Sequence, residues 1–526
     1  MNDGRAILDE AEARLAPLAL ASNVAWWDSQ VEATEENAER RERAELELSD
    51  TLADRELFAR IRKGRAPADE RDAGRELELL SNLMLRHQVP DEIRTRIVEL
   101  ETLVDLRFSR HRGVVAGTEV GDTEIKRILR QSDDPAERRE AWEASKTVGA
   151  VVADDVRELA RLRNEAARGL GHSDWFALSL ATDELDEGKL AETLAKADRV
   201  TSAPFERWKG ALDGRLAARF GCAARDLRPW HYADPFFQEP PPEGAVDLDP
   251  FFDGQDIVGL ARRTLSGVGL EVDGIVERSD LYPRDGKNQH AFCIDIDRAG
   301  DVRIMANVVP THESADTMLH ELGHGVYDLG IRRDLPWLLR STHLVATEAS
   351  ALLLGALARQ RDWLEQILGL SADEGAELEG RLLSARASEL LVFTRWVLVM
   401  NTFERALYAN PDGDLDATWW ELVQRYQGVT PPDDRRAPDW AAKIHIAVSP
   451  VYYHTYLYGA VVALQLVAAL ESEVGGIVDR PEAGALLRQR LYAPGESVRW
   501  DRLVEQATGE PLSVGFLERA VAHTGA

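Results

Sequence analysis

Along residues 1–115 apolar positions recur at steps of three and four, within runs rich in Ala, Leu, Glu and Arg. That spacing puts them on one face of an α-helix. The pattern continues through 134–182, where Gly169 and Gly171 offer a stop, and 187–221 reads as a further helix. DPFFQEPPPEGAVDLDPFFDG (234–254) interrupts it. Three consecutive prolines among glycines and aspartates exclude regular helix, so a long loop is predicted. One segment alternates at period two instead. Phe292, Ile294 and Ile296 alternate with Asp295 and Asp297, and after Arg298-Ala299-Gly300 the alternation resumes at Val302, Ile304 and Ala306. This predicts a β-hairpin within 290–308. Helix returns over about 314–329 and dominates to the C-terminus, so the expected class is all-α with one small sheet. No internal repeat is present.

Length would suggest about three or four domains, although large helical folds run longer as one unit. The chain carries 63 basic and 92 acidic residues, a formal charge of -29. Such a surface repels phosphate backbones and anionic membranes, so neither nucleic acid nor membrane is an expected partner. Two cysteines, Cys222 and Cys293, with no C-x-x-C, build no disulfide framework and no thiolate metal site. The first twenty residues are acidic and amphipathic, without the basic start and apolar run of a signal peptide. No membrane span is expected, and the expected location is cytoplasmic.

MLHELGHGVY (318–327) changes the picture from composition to chemistry. His320 and His324 sit about 400° apart on a helix, one turn apart on one face, where two neutral imidazoles grip one Zn²⁺. Glu321 can then reach water at the metal. Short patterns of this kind also arise on ordinary surface helices. Gly323 and Gly325 argue against that reading, because each costs about 1 kcal/mol relative to alanine unless something approaches the helix closely. A third ligand is required, and Glu348 in STHLVATEASALLLG stands 24 residues beyond His324, in an apolar helical stretch where a carboxylate needs a partner. DLPW (334–337) supplies the turn between the two helices. His312 and His343 compete and lose: one lies about 12 Å back along the helix, the other about 140° round from Glu348.

QHAFCIDIDRAGDVRIMANV, HELGH, DLPW and Glu348, in this order and spacing, resemble angiotensin-converting enzyme and its bacterial peptidyl-dipeptidase relatives. NVAWWDSQVEATEE (23–36), AWEASK (141–146), RNEAAR (163–168), WWELVQRYQGVTPP (419–432) and KIHIAVSPVYYHTYLYGAVVALQL (443–466) extend the match over most of the chain; it is weakest in 44–120 and after 470. The related thimet oligopeptidase and oligoendopeptidase F families share HExxH and a tyrosine-rich helix. The resemblance implies a single metallopeptidase domain over 1–526, an elongated helical ellipsoid whose two halves flank a deep cleft, with one Zn²⁺ per chain and short peptides as substrates.

It also implies roles residue by residue. His320, His324 and Glu348 become the zinc ligands and Glu321 the general base, taking a proton as water attacks the peptide carbonyl and passing it to the leaving amine. Tyr456 and His445 match the groups that stabilise the oxyanion. On a helix after Pro450, Tyr453 and Tyr456 are i and i+3 and share a face, whereas Tyr452 and Tyr458 read as packing. Lys443 and Tyr453 match the pair that holds a substrate's C-terminal carboxylate. An extended segment would point Lys443 and His445 to the same side. His290 and Ala291 match residues on a strand that pairs with the substrate backbone.

Several positions depart from the family pattern. From His445 to Tyr456 is 11 residues, one more than in the converting enzyme. No glutamine falls beside Trp230-His231-Tyr232 to help grip the carboxylate, and Gln238 matches poorly in position. Val423 and Thr455 replace the chloride-site arginines, so activity should be largely independent of chloride. Leu352 replaces a second-shell aspartate, so another group must orient the histidines. Three functions stay open: release of C-terminal dipeptides, cleavage at internal bonds as an oligoendopeptidase, and non-catalytic zinc-dependent peptide binding.

Overall fold

The computed structural model describes residues 4–66, 70, 72–241 and 246–522, and is almost entirely helical, with two two-stranded antiparallel sheets. The chain forms two compact units. The first comprises Met1–Gln88, Val246–Leu382 and Tyr458–Phe516; the second comprises Val89–Ala245, Leu383–Leu457 and Leu517–Ala526.

In the first unit, α1 (Gly4–Val31) shows why the N-terminal periodicity reads as helix. Ile7, Leu8, Ala11 and Leu15 form one buried stripe against Leu52, Leu57, Ile61, Leu80 and Met84. A fully buried leucine contributes about 1.5–3 kcal/mol, so this stripe, not local propensity, holds the helix. The far end of α1 packs on the sheet near the metal motif: the Trp26 and Trp27 rings lie 4.4 and 5.9 Å from Phe292. Asn23 Nδ2 donates to the Ile296 carbonyl at 3.1 Å.

After a helix at Asp91–Arg110, the second unit carries a hairpin that the alternation did not announce. Its strands β1 (Gly113–Val115) and β2 (Thr118–Val120) are three residues each, too short to show a period. Ala116 and Gly117, both at positive φ, make the turn, so GVV-AG-TEV carried only a turn signal. The expectation of one small sheet is corrected to two. Next, α2 (Pro135–Gly169) is capped by Asp134, whose side chain accepts from the Ala136 N–H, and ends at Gly169 as its sequence predicts. It is followed by α3 (Trp175–Thr182) and α4 (Glu187–Phe220). The proline-rich stretch is irregular on both sides of residues 242–245, which lie outside the described residues; a single short turn of helix interrupts it at Asp249–Phe252.

The predicted hairpin is present in the first unit: β3 (Phe292–Asp295) pairs with β4 (Val302–Met305), Phe292 opposite Met305 and Asp295 opposite Val302. At its turn Asp295 Oδ1 accepts from the Arg298 N–H, and Asp297 Oδ1 from Ala299 and Asp301. Such Asx contacts satisfy turn donors locally. Then α5 (His312–Gly330) starts at the cap Thr311, and α6 (Leu344–Gly355) starts at His343, whose ring accepts from the Val345 N–H and stacks on Trp500. His343 is therefore a capping residue, as expected of a bystander.

The long helix α7 (Ala372–Ala409) and α8 (Leu415–Gln427) precede α9 (Tyr453–Val474). Long and apolar enough to cross a membrane by length and composition, α9 corrects the expectation that no stretch would approach that criterion. Val461, Val462 and Leu466 are buried, and the fully buried Gln465 hydrogen-bonds to Pro511 and Ser513. Packing of this kind also makes a core helix apolar.

Candidate metallopeptidase centre

Two packed helices of the first unit build the metal cradle. His320 and His324 project from one face of α5, their ring centroids 5.0 Å apart. Gly323, on the same helix, meets α6 so closely that a Cβ there would lie 2.6 Å from the Ala351 Cα. The contact is pinned by Ser350 Oγ, which donates to the Gly323 carbonyl at 2.8 Å. This close approach explains the glycine and delivers Glu348 to the histidines: its Oε2 lies 4.0 Å from His324 Nε2. Gly459 completes the cradle, since a Cβ there would meet the Glu348 Cγ at 2.8 Å.

One donor atom from each of His320, His324 and Glu348 falls within 4.8 Å of the others. Tetrahedral zinc with bonds of about 2.1 Å sets its donors about 3.4 Å apart, so the cradle is of the right size and donor set. Burial draws the His320 imidazole down to about 4; burial and the neighbouring His320 draw His324 down to about 3. Both rings are therefore neutral and able to ligate near pH 7. Burial pushes the Glu348 carboxyl up to about 7, the mark of a carboxylate that lacks a cationic partner within the protein. A dication at this point supplies that partner.

Glu321 occupies the same pocket. Burial, then the nearby Glu348 charge, pushes it up to about 8, while the Cys293 N–H of β3 donates to its carboxylate. Cys293 thus enters the site through its backbone, a role no side-chain pattern announces. The group that replaces the missing aspartate is Thr347: its Oγ1 lies 2.7 Å from His324 Nδ1, leaving Nε2 for the metal. His312, as expected, takes no part in the cradle; it packs on Phe252.

His290 and Ala291 fall just before β3 and outside it, correcting their placement on the strand. His290 is exposed, and its N–H donates to Asn288 Oδ1. β4 bridges Asp280 on its far side, whereas among the described residues no strand covers the outer edge of β3. On that edge the Cys293 N–H is engaged by Glu321, and the Asp295 carbonyl accepts from Asn23 Nδ2 at 3.4 Å.

The remaining predicted residues gather in the second unit. Lys443 and His445 do not lie on an extended segment: Lys443 ends a 3-10 turn at Asp439–Ala442, and His445 opens a helical turn, His445–Val448. They meet around Tyr453 nevertheless, its ring 5.4 Å from His445 and 5.8 Å from Lys443 Nζ. Tyr453 and Tyr456 share a face as predicted, with centroids 5.6 Å apart. Burial, then Lys443, draws His445 down to about 4, and its Nδ1 is buried with no hydrogen-bond partner among the described residues.

Gln238 corrects the sequence reading, which dismissed it on position. Its Oε1 accepts from Lys443 Nζ at 2.9 Å, and its Nε2 lies 3.3 Å from Asp234 Oδ2. The loop achieves this because its backbone groups are satisfied by side chains. Gln427 of α8 donates to the Phe236 and Phe237 carbonyls, Trp142 donates to Pro235, and Asp234 caps the N–H groups of Phe236 and Gln238. Burial, mainly, draws the Lys443 ammonium down to about 8. Nearby, Lys146 lies 3.1 Å from the Phe236 ring centroid with no hydrogen-bond partner among the described residues. It borders a small cavity that Trp142, Trp419, Trp420 and Val423 also line, so the loss of an arginine at Val423 does not leave that cavity without a basic side chain.

Comparison with known proteins agrees with this constellation. The family model for Peptidase family M3 matches residues 276–523, and that for Angiotensin-converting enzyme matches residues 2–197. Angiotensin-converting enzyme of Bos taurus is 28% identical over 244 residues, covering 43% of this chain and 18% of that protein. The enzyme of Haematobia irritans exigua is 26% identical over 256 residues, covering 44% and 41% respectively. The Angiotensin-converting enzyme-like protein Ace3 of Mus musculus is 24% identical over 247 residues, covering 43% and 33%. The chain thus spans less than half the length of these relatives. The M3 model spans the His-His-Glu cradle and the angiotensin-converting enzyme model spans the N-terminal part, so the chain is similar to the HExxH gluzincin peptidases of both kinds.

Proposed function

We propose that the chain is a zinc-dependent peptidase that releases dipeptides from the C-terminal end of short peptides. The observation that supports the end-directed reading is the 2.9 Å bond from Lys443 Nζ to Gln238 Oε1 beside Tyr453. A buried ammonium with one neutral hydrogen-bond partner is suited to a terminal carboxylate, which forms charge-assisted bonds roughly twice as strong as neutral ones.

His320, His324 and Glu348 would hold zinc. Bound there, it supplies a Lewis acid that polarises the peptide carbonyl and makes water nucleophilic near neutral pH. Glu321, held by the Cys293 N–H, takes the proton from the attacking water and delivers it to the departing nitrogen. In the proposal Tyr456 and neutral His445 donate to the carbonyl oxygen as its negative charge develops, and the outer edge of β3, with His290 and Ala291 at its entrance, holds the peptide extended. The roles of Tyr456, His445, His290 and Ala291 rest on the family resemblance. A cytoplasmic location belongs to the same proposal, supported by the two unpaired cysteines.

The test is a ten-residue peptide offered with a free and with an amidated C-terminus. Dipeptide release from the free form and at least tenfold slower cleavage of the amide is expected. Equal cleavage of both at internal bonds would establish an oligoendopeptidase instead. Zinc retention without cleavage of any member of a broad peptide library would establish a binding protein. Chloride, titrated at constant ionic strength, should change activity less than about twofold, on the evidence of Val423 and Thr455. Strong activation would overturn that reading.

A further inference from the structure

The second unit contains a cavity of about 370 Å³ that shares no residue with the metal cradle or the lysine cluster. It lies in the size range of small-molecule sites. Phe176 of α3, Leu190 of α4 and Leu398 of α7, each nearly inaccessible to solvent, give it apolar walls. Arg199, Arg405 and Arg425 stand around it, with Glu187 and Asp198.

The charges do not cancel. Glu187 is 2.8 Å from Arg405 Nε, and Arg405 also reaches Asp174 at 2.9 Å. Asp198 is held by the buried Arg395 at 2.6 Å. Both acidic residues of the lining are therefore already engaged by guanidinium groups. Arg199 and Arg425 make no ion pair among the described residues; Arg425 lies over the Tyr426 ring, with 4.8 Å from its Cζ to the centroid. Both side chains are exposed, so their guanidinium groups are open to an anion arriving from solvent. A planar fork left open beside an apolar hollow matches a carboxylate or phosphate carried on a hydrocarbon body.

We propose that this cavity binds a small amphiphilic organic anion, its apolar body among Phe176, Leu190 and Leu398 and its anionic head between Arg199 and Arg425. The anionic head is a carboxylate or a phosphate, and the experiment separates the two. Isothermal titration of the full chain with octanoate, octyl phosphate and octylammonium, at fixed ionic strength, is the test. Saturable one-to-one binding of at least one anion, and none of the cation, is expected; the tighter anion identifies the head group. Arg199→Gln with Arg425→Gln should weaken that binding at least tenfold while leaving the melting profile and peptide hydrolysis unchanged. Leu194→Trp, which projects bulk into the cavity from α4, should abolish it. Equal binding of octylammonium, no binding of either anion, or unchanged affinity in the double arginine variant would overturn the proposal.

Discussion

The histidine–glutamate cradle and the lysine cluster are both buried polar sites, yet they are assembled in opposite ways. The cradle takes its ligands from two consecutive helices, with His320 and His324 one turn apart and Glu348 brought in by close packing at Gly323. Its three donor atoms converge on one point, where a metal fits. The cluster draws Lys443, Gln238, Asp234 and Tyr453 from widely separated positions, and its groups largely satisfy one another. Proximity in sequence, then, goes with chemistry that a cofactor supplies, and long-range assembly goes with recognition that side chains provide.

That contrast predicts the largest loss at the cradle. Glu321→Gln should reduce peptide hydrolysis about 10²–10⁴-fold, with zinc content unchanged by elemental analysis. Glu348→Ala should lose the zinc itself. A Glu321→Gln protein as active as wild type would remove the general base from the mechanism and with it the functional meaning of the motif.

A smaller effect is expected one contact further out. Thr347→Val removes the hydroxyl beside His324 Nδ1 and should lower zinc affinity about 10–100-fold, measured by competition with a chelator. Unchanged affinity would mean that helix packing alone orients His324. At the cluster, Lys443→Met should raise KM about tenfold for peptides with a free C-terminus and leave amidated peptides unaffected. Gln238→Leu should do the same more weakly, because it leaves the ammonium in place. Equal losses on both peptides would show that the cluster is structural, and would erase the contrast with the cradle.

How much of this was legible follows from the same difference. The cradle was read from spacing, because a helix fixes where residues four apart must point. The hairpin at β3 and β4 was read from alternation, and even the reason for Gly323, a neighbour pressed against the helix, was anticipated. Thr347 was not, although its place next to the ligand Glu348 was a usable signal once an orienting group was known to be missing. Gln238 was beyond reach: it sits in a proline-rich loop with no period, and its position depends on Gln427 and Trp142 holding the loop's carbonyls. The extended run from Lys443 to His445 is not formed: Lys443 is extended, but the chain turns helical at Ile444. The hairpin at β1 and β2 was missed because three-residue strands have no period to detect.

Lys146 gives the finest test of the comparison, since it is a buried cation of the second unit with no hydrogen-bond partner among the described residues. Burial draws it down to about 7 against the attraction of Asp439 and Asp234, and the Phe236 face retains part of its charge by cation–π contact. The unfolded chain holds this proton up to about pH 10.5, so between pH 7 and 10.5 the unfolded state binds more protons than the folded one. Stability contributed by this group must therefore rise with pH across that window, and the cost of burying the charge is fully present below pH 7. Lys146→Met removes the cost without emptying the space. Its stability advantage over wild type in denaturant should be greatest at pH 6, on the order of 2–5 kcal/mol, and shrink steadily toward pH 10. A Lys146→Met protein that is less stable at pH 6 would mean that the ammonium is held by the aromatic cage as a structural cation, and that the second unit, like the cradle, is built around a charge.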